Sequence, residues 1–454
     1  MSGAPTAARS VALEVIRATF EQDAFTDAAF REAAERHGLE GRDRAQAQRL
    51  AYGAVQRRGS TDAVIRELAG RSPRLLDPPV LACLRLGLYE LLYSSSAEHA
   101  AVDQAVELCK RAGAAHAAGL VNAVLRRAGR ERAALLEKLA DDREPTGAAA
   151  AHSVPRWLAE LWWEELGPDT ARSMLRASNE PAERALRVNT LRDGREQMRR
   201  RLGEAGVAVT PAPGPAPLDA AELLVLDGRL GEAAALVESG DLVPQSRGSA
   251  AVVELLDPRP GHQVLDLCAG PGIKTGQIAA RMEDRGELIA VDSDPERAAQ
   301  VAEQAERLGL RSVTVIEADA AGFELGDGFD RVLVDAPCSG LGTLASRPDV
   351  RWRRSPQAIE RLAEVQGRIL ARAARLVRPG GSLVYATCTL SRAENEDVVT
   401  GLLAGEDGPA ALAADDLGAA SPQLASPVDP RFLSIRPDRD RTTGFFVARL
   451  SRHD

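Results

Sequence analysis

The chain has 454 residues, of which 44% are hydrophobic and 27% charged, with a formal net charge of −9. At ~150 residues per domain this is two or three domains with sizeable cores, and the composition excludes wholesale disorder. No apolar run approaches the ~18 residues of a membrane span. The start, MSGAPTAARSVALEVIRATF, lacks a basic-then-apolar leader. Five cysteines without a CxxC pair exclude a disulfide scaffold and the usual zinc spacings. The expected compartment is a reducing cytoplasm, with no membrane and no metal among the partners. The charge is uneven. Residues 1–140 carry 20 Lys+Arg against 17 Asp+Glu, and residues 341–380 carry nine Arg against three acidic groups. Such a local excess is either a footprint for a phosphate backbone or a solvated helix face. Lysine occurs only at Lys110, Lys138 and Lys274, and the other 54 cations are Arg.

Residues 1–140 read as helices throughout. Val102, Ala105, Val106 and Cys109 form a helical stripe, with Gly113 as its stop. Leu81, Leu84, Leu88, Leu91 and Leu92 form a stripe wide enough for a central buried helix. Val121, Val124 and Leu125 form a third, with Arg126, Arg127 and Arg130 on its solvent side. A helical bundle follows. DDREPTGAAA at 141–150 reads as a linker. Residues 151–245 read as a small α/β subdomain: SVPRWLAELWWEEL starts a helix near Pro155, RALRVNT and AELLVLD are strands, and PAPGPAP at 211–217 is a loop.

From residue 246 strands and helices alternate. The strands are HQVLDLC, GELIAVD, SVTVIEAD, FDRVLVDAP, GGSLVYATCTL and, last, GFFVARL. Residues 401–430 read as a surface excursion, and a long basic stretch follows FDRVLVDAP. Near-continuous apolar strands alternating with helices predict a doubly wound, Rossmann-like α/β sheet covered on both faces.

Cys268, Ala269, Gly270, Pro271, Gly272, Ile273 and Lys274 follow the first of these strands and open a helix. Backbone N–H groups can there approach a ligand at a helix N-terminus. Asp292 ends the next strand, placed to accept ribose hydroxyls, and Asp319 the third, placed for an adenine amino group. A nicotinamide dinucleotide and S-adenosylmethionine both fit this geometry. Asp335 and Cys338 end the fourth strand and Cys388 the fifth, at the same sheet edge. A thiolate is a strong nucleophile, and beside a methyl-sulfonium donor it suggests a specific reaction. Addition to carbon 6 of a pyrimidine makes carbon 5 enamine-like and able to take a methyl group. The scheme needs a nucleophile, a proton acceptor and a group holding the base, and Cys388, Cys338 and Asp335 can supply them.

The segments DLCAGPGIKT, VDSDPERA, DAPCSGLGTLASRPDVRW, LVRPGGSLVYATCTLSRAENE and GFFVARL resemble the Sun/Fmu family of RNA cytosine-5 methyltransferases over residues 246–454. PAERALRVNTL at 181–191 is similar to the small subdomain preceding that catalytic domain. RDRAQAQRLAYGAVQRRGSTDAVI, LRLGLYELLY and GLVNAVLRRAG resemble a NusB-like RNA-binding domain. The domain order, 1–140, 141–245 and 246–454, is that of the family's bacterial 16S rRNA members. The resemblance implies S-adenosylmethionine as cofactor, 16S rRNA as partner and a monomer. It makes Cys388 the nucleophile and Cys338 the residue assisting proton loss and product release. It also implies that Cys268 to Lys274, Asp292, Asp319 and Asp335 line the cofactor site, with Asp335 touching the base. Methylation of tRNA, or a non-catalytic assembly factor on the same fold, are the alternatives. Arg347, Arg351, Arg353 and Arg354 are placed to hold the RNA backbone. The chain departs from the family pattern at Gly270 and Ile273 (usually Ala and Gly), at Gln245–Ser246 and at Thr443.

Overall fold

The computed structural model describes residues 4–228, 231–322, 326, 328–405 and 412–453. The chain forms two compact units, Met1–Glu180 with Leu344–Arg353, and Pro181–Thr343 with Arg354–Asp454.

The first unit is helical, as its unbroken periodicity predicts. Its central helix, Pro78–Tyr93, opens on Pro78 and buries Val80, Leu84, Leu86, Leu88, Leu91 and Leu92. Proline at the first helical position loses no hydrogen bond, and a helix apolar all round must be enclosed. Helices Ala7–Glu21, Gly41–Gln56, Glu98–Cys109 and Ala118–Arg130 pack against it. Gly53 and Gly87 permit two of these approaches: a Cβ would lie 2.0 Å from Tyr89 Cζ at the first and 2.7 Å from Leu125 Cδ1 at the second. Gly113, at φ 84°, breaks the helix where the sequence places a stop. Arg126, Arg127 and Arg130 are exposed.

The expected linker at 141–150 contains the helix Pro145–Ala151. Helices Arg156–Leu166 and Pro168–Ala177 follow, and the helical unit runs on to Glu180. Alanine and proline make the stretch look like a linker by composition. Yet alanine is the strongest helix former and proline is at home in a first turn, and Ala148 and Ala149 are buried.

Residues 344–353 also belong to this unit, and the hydrogen bonds of Arg351, Arg353 and Arg354 correct the expectation that they face RNA. Arg351 is 0% exposed. Its Nη1 donates to Ser153 O at 3.0 Å and Asn179 Oδ1 at 3.2 Å, and its Nη2 to Ser178 O at 2.9 Å and Leu344 O at 3.0 Å. Desolvation pulls its pKa down to about 9. The Trp352 indole donates to Val55 O at 2.8 Å, and Arg353 pairs with Asp349 at 2.9 Å. Arg354 lies in the second unit, where its Nε donates to Ser339 O at 2.9 Å. Arg347 alone of the four is exposed. A run of arginines in sequence does not distinguish guanidinium groups facing water from those consumed by buried carbonyls.

The second unit holds two sheets. In the first, β1 (Ala185–Val188), β2 (Ala208–Pro211), β3 (Leu223–Asp227) and β4 (Leu242–Pro244) are antiparallel in the order β2-β3-β1-β4. Helix Arg195–Glu204 packs Met198 and Leu202 against it. The rest of the proline-rich segment after Pro211 is irregular.

The second sheet contains β5 (Gln263–Leu267), β6 (Glu287–Asp292), β7 (Val313–Glu317), β8 (Phe329–Asp335), β9 (Val377–Thr387), β10 (Leu412–Ala414), β11 (Leu433–Ile435) and β12 (Phe445–Arg452). Its order is β10-β12-β9-β8-β5-β6-β7, with β11 paired to β12. Strands β5 to β9 are parallel to their neighbours, and β12 runs antiparallel to β9. Both faces are covered. Leu265, Leu267, Val332, Val334 and Leu383 pack with Ile369 and Leu370 of helix Pro356–Leu376. Val264, Leu333 and Val384 pack with Val252 of helix Arg247–Leu256 and Ile278 of helix Ile273–Arg281. Burial of both faces is why these strands lack polar alternation.

The excursion expected at 401–430 is in part structural. Residues 406–411 lie outside the described residues. Beyond them β10 and β11 both pair with β12, and Leu417, Leu424 and Phe432 are buried at 4%, 0% and 0% exposure. Short strands between Ala, Pro and Asp carry too little periodicity to be read from sequence.

Replacing Arg351 by Met removes a donor from each of three buried carbonyls, of which Ser178 O keeps Gln56 Nε2. The helical unit is expected to lose roughly 2–4 kcal/mol in urea unfolding. Lys at this position is expected to recover less than half of that, because one ammonium cannot span the same carbonyls.

Candidate active site at the sheet edge

The strand order reverses between β5 and β8, and at such a switch point the carboxyl ends of the strands open a crevice. The turn after β5 is built to fit it. Cys268 takes φ 65° and Gly272 φ 91°, so the left-handed positions are Cys268 and Gly272, and Ile273 is simply the first residue of helix Ile273–Arg281. The Gly270 N–H donates to Asp292 Oδ2 at 2.9 Å. A Cβ on Gly270 would lie 2.7 Å from that oxygen and 2.5 Å from Arg297 Cβ. Glycine here makes room first for Arg297 of the helix after β6 and then for Asp292 at the end of β6. Asp292 Oδ1 takes the Asp294 N–H at 3.0 Å, and each carboxylate oxygen keeps a lone pair for a ligand.

Lys274 Nζ donates to Asp335 Oδ2 at 2.6 Å and lies 5.0 Å over the Phe445 ring. One of the chain's three lysines thus ties the helix after β5 to the end of β8. Asp319 stands two residues beyond β7, exposed, with Oδ1 accepting the Ala321 N–H at 3.0 Å.

The two cysteines meet. Strands β8 and β9 are parallel with Asp335 opposite Ala386, and the loops that follow place Cys338 Sγ 3.4 Å from Cys388 Sγ. The Cys338 thiol is pushed well up by its hydrogen bond to the Cys388 sulfur, then by burial and by the negative Glu394 and Asp335. Burial, with Asp292 and Asp335 nearby, pushes the Cys268 thiol up as well.

Sequence reasoning missed Asp266. Within β5 it points to the helix side, where Thr275 Oγ1 donates to its Oδ2 at 2.7 Å, and its Oδ1 is buried without a partner. Burial raises its pKa to about 7, with Thr275 opposing, Asp335 adding, Lys274 opposing and Asp292 adding. The available signal was an acid inside the otherwise apolar VLDLC. Gln245, one of the departures from the family pattern, is also buried. It accepts Arg187 Nε at 2.7 Å and donates to Gln277 Oε1 at 2.5 Å. Arg187, fully enclosed, reaches Ile273 O at 3.4 Å, so this pair braces the first turn of the helix after the loop. Among the described residues no group of three or more His, Cys, Asp or Glu could hold a metal ion, and no helix is long and apolar enough to cross a membrane.

Fold and edge define a doubly wound nucleoside-cofactor domain with paired thiols at its mouth. Residues 253–451 match the family described as 16S rRNA methyltransferase RsmB/F, residues 6–130 the NusB family, and residues 154–217 the ferredoxin-like domain of RsmF/B-like methyltransferases. A probable ribosomal RNA small subunit methyltransferase B of Synechocystis is 33% identical, covering 98% of this chain and 99% of its own. The protein of the same name from Bacillus subtilis is 31% identical over the same shares. The crystal structure of PH0851 superposes with a TM-score of 0.81 at 28% identity, covering 99% of each chain. The chain belongs to the RsmB/F family of S-adenosylmethionine-dependent rRNA methyltransferases.

An unfolded aspartate titrates near ~3.9. Between that value and the folded value of about 7 for Asp266, the native state holds the extra proton, and stability falls as pH rises. The ligand-free protein is expected to lose stability from about pH 4 to about pH 7. Asp266→Asn should reduce that loss by roughly 2–4 kcal/mol in urea titrations. Burial shifts Glu394 and Glu396 the same way, so the slope shrinks without vanishing. Equal slopes in the two proteins would contradict the assignment.

Proposed function

We propose that the protein methylates carbon 5 of a cytosine in 16S rRNA, in the cytoplasm, through a covalent adduct between Cys388 and carbon 6. The observation that carries this reading is the 3.4 Å approach of Cys338 and Cys388 beside the cofactor turn. A methyl transfer to an already nucleophilic atom needs no thiol, whereas carbon 5 of a cytosine must first be activated by addition at carbon 6.

The edge fits S-adenosylmethionine. The orphaned Asp266 oxygen, Asp292 and Asp335 make an acidic lining suited to a ligand carrying ammonium and sulfonium charges. The residues assigned to hold it are Cys268 to Lys274, Asp292, Asp319 and Asp335. S-adenosylmethionine supplies an electrophilic methyl group there. Cys388 attacks carbon 6, carbon 5 takes the methyl, and the carbon-5 proton leaves on the Cys338 side as Cys388 is expelled. Asp335, held by Lys274, is the residue assigned to contact the base. The target must leave its stack to reach the thiol, which favours a single-stranded rRNA loop.

In this reading residues 246–454 do the chemistry, Arg187 and Gln245 of the small subdomain brace the cofactor turn, and 1–140 supply RNA affinity. Arg126, Arg127 and Arg130 are the exposed cations assigned to phosphate contacts. Changing all three to Gln should weaken rRNA binding and reduce the log–log salt slope by about 2. An unchanged slope would remove them from the interface.

The cysteines are separable by order of action. Cys388→Ala is expected to abolish methyl transfer and to form no adduct. Cys338→Ala should attack and methylate, then stall with RNA attached. Denaturing electrophoresis with labelled rRNA and S-adenosylmethionine reads the adduct as a slow band. A band from Cys388→Ala and none from Cys338→Ala would reverse the roles, as in a DNA-type mechanism. No adduct and no methyl transfer in the unaltered protein would favour an assembly factor.

A further inference from the structure

Two separate loops, one after β8 and one after β9, must be held together if two thiols are to meet. The side chain joining them has no part in the scheme above. Glu394 is buried at 0% exposure in the short turn Arg392–Glu394. Its Oε1 accepts the Ser339 N–H at 2.7 Å and Gln366 Nε2 at 3.1 Å, and its Oε2 accepts the Ser339 hydroxyl. Ser339 is the neighbour of Cys338, and its Oγ lies 2.7 Å from Oγ1 of Thr389, the neighbour of Cys388. Gln366 Nε2 also donates to Pro337 O at 2.9 Å, on the other side of Cys338. Asn395, next to Glu394, accepts the Thr387 hydroxyl at 2.6 Å and donates to Thr389 O at 3.2 Å, gripping both neighbours of Cys388.

We propose that Glu394 is a positioning residue whose carboxylate clamps the Cys338 loop to the Cys388 loop and so sets the distance between the thiols. The clamp touches neither cysteine directly. It acts through Ser339, which Glu394 holds by both N–H and hydroxyl, leaving a lone pair of the Ser339 oxygen to accept the Thr389 hydroxyl. Its importance for catalysis rests on the reading that both thiols take part in the reaction.

The test uses the full-length protein and two readouts. The first needs neither RNA nor cofactor: the rate at which hydrogen peroxide converts the Cys338 and Cys388 thiols to a disulfide, with release of two waters, followed by peptide mapping. Cys83 and Cys109, a second thiol pair in the helical unit, serve as internal reference for general loosening. The second readout is kcat and the KM for S-adenosylmethionine with rRNA. Glu394→Ala is expected to slow 338–388 bridging about tenfold relative to the reference pair. It should lower kcat about a hundredfold, while KM for the cofactor moves less than about threefold. Glu394→Gln keeps acceptors for Ser339 N and Gln366 and can donate to the Ser339 oxygen, so it should restore both values to within about threefold. Should Glu394→Ala not fold, Ser339→Ala tests the same link, since it removes the hydroxyl and keeps the N–H. Bridging at the unaltered rate in Glu394→Ala or Ser339→Ala, or Gln performing no better than Ala, would overturn the clamp. Slowed bridging in a protein that never methylates cytosine would support the clamp and remove the proposed function.

Discussion

Parallel pairing of β8 with β9 is the constraint on which the rest of the site depends. Asp335 lies opposite Ala386 in that ladder, so both strands end at one level and their following loops leave the sheet side by side. A slip of a single residue would turn every side chain of β9 to the other face and part Cys388 from Cys338. The register is secured by burial. Val332 and Val334 face one side with Leu383 and Tyr385, while Leu333 faces the other with Val384 and Ala386. Packing far from the edge therefore sets chemistry at the edge, and the network around Ser339 and Thr389 then closes the remaining gap between the loops.

The same edge concentrates negative charge in a place where water is scarce. Asp266, Asp292 and Asp335 are answered within the protein chiefly by Lys274, whose ammonium bonds Asp335. Burial keeps Asp266 protonated to higher pH than an exposed aspartate. Carboxyl groups gathered in this way suit a cationic ligand. The unusual residues of the turn serve that arrangement. Gly270 lets Asp292 come close, while Gly272 accepts the left-handed turn that frees Ile273 to be helical.

Arginine plays two opposed roles in this chain. Arg126, Arg127 and Arg130 face water, while Arg351 and Arg187 are enclosed and spend their donors on main-chain and side-chain oxygens. Arg247 does the same, reaching Pro213 O at 2.6 Å and Asp440 O at 2.7 Å. A planar guanidinium spreads five donors over three nitrogens and so reaches carbonyls that the three donors on a single ammonium nitrogen do not span, and the desolvation is met by hydrogen bonds rather than by a counter-charge alone.

The sequence by itself determined the helical stripes of residues 1–140, the alternation of apolar strands and helices from residue 246, and the residue types at the strand ends. These are local properties: periodicity, turn chemistry and motif spacing act over a few residues. It also placed Cys268 to Lys274, Asp292, Asp335, Cys338 and Cys388 at one edge, because successive parallel strands must end together. It did not show that residues 344–353 belong with the helices, that Pro145–Ala151 is a helix, or that Asp266, Gln245 and Glu394 are buried partners of the site. Each of these depends on which atoms, remote in the chain, come to surround a residue, and desolvation and hydrogen-bond satisfaction are properties of that surrounding. Arg351 and Arg126 read alike as letters, and only the packed structure decided that one meets carbonyls and the other meets water.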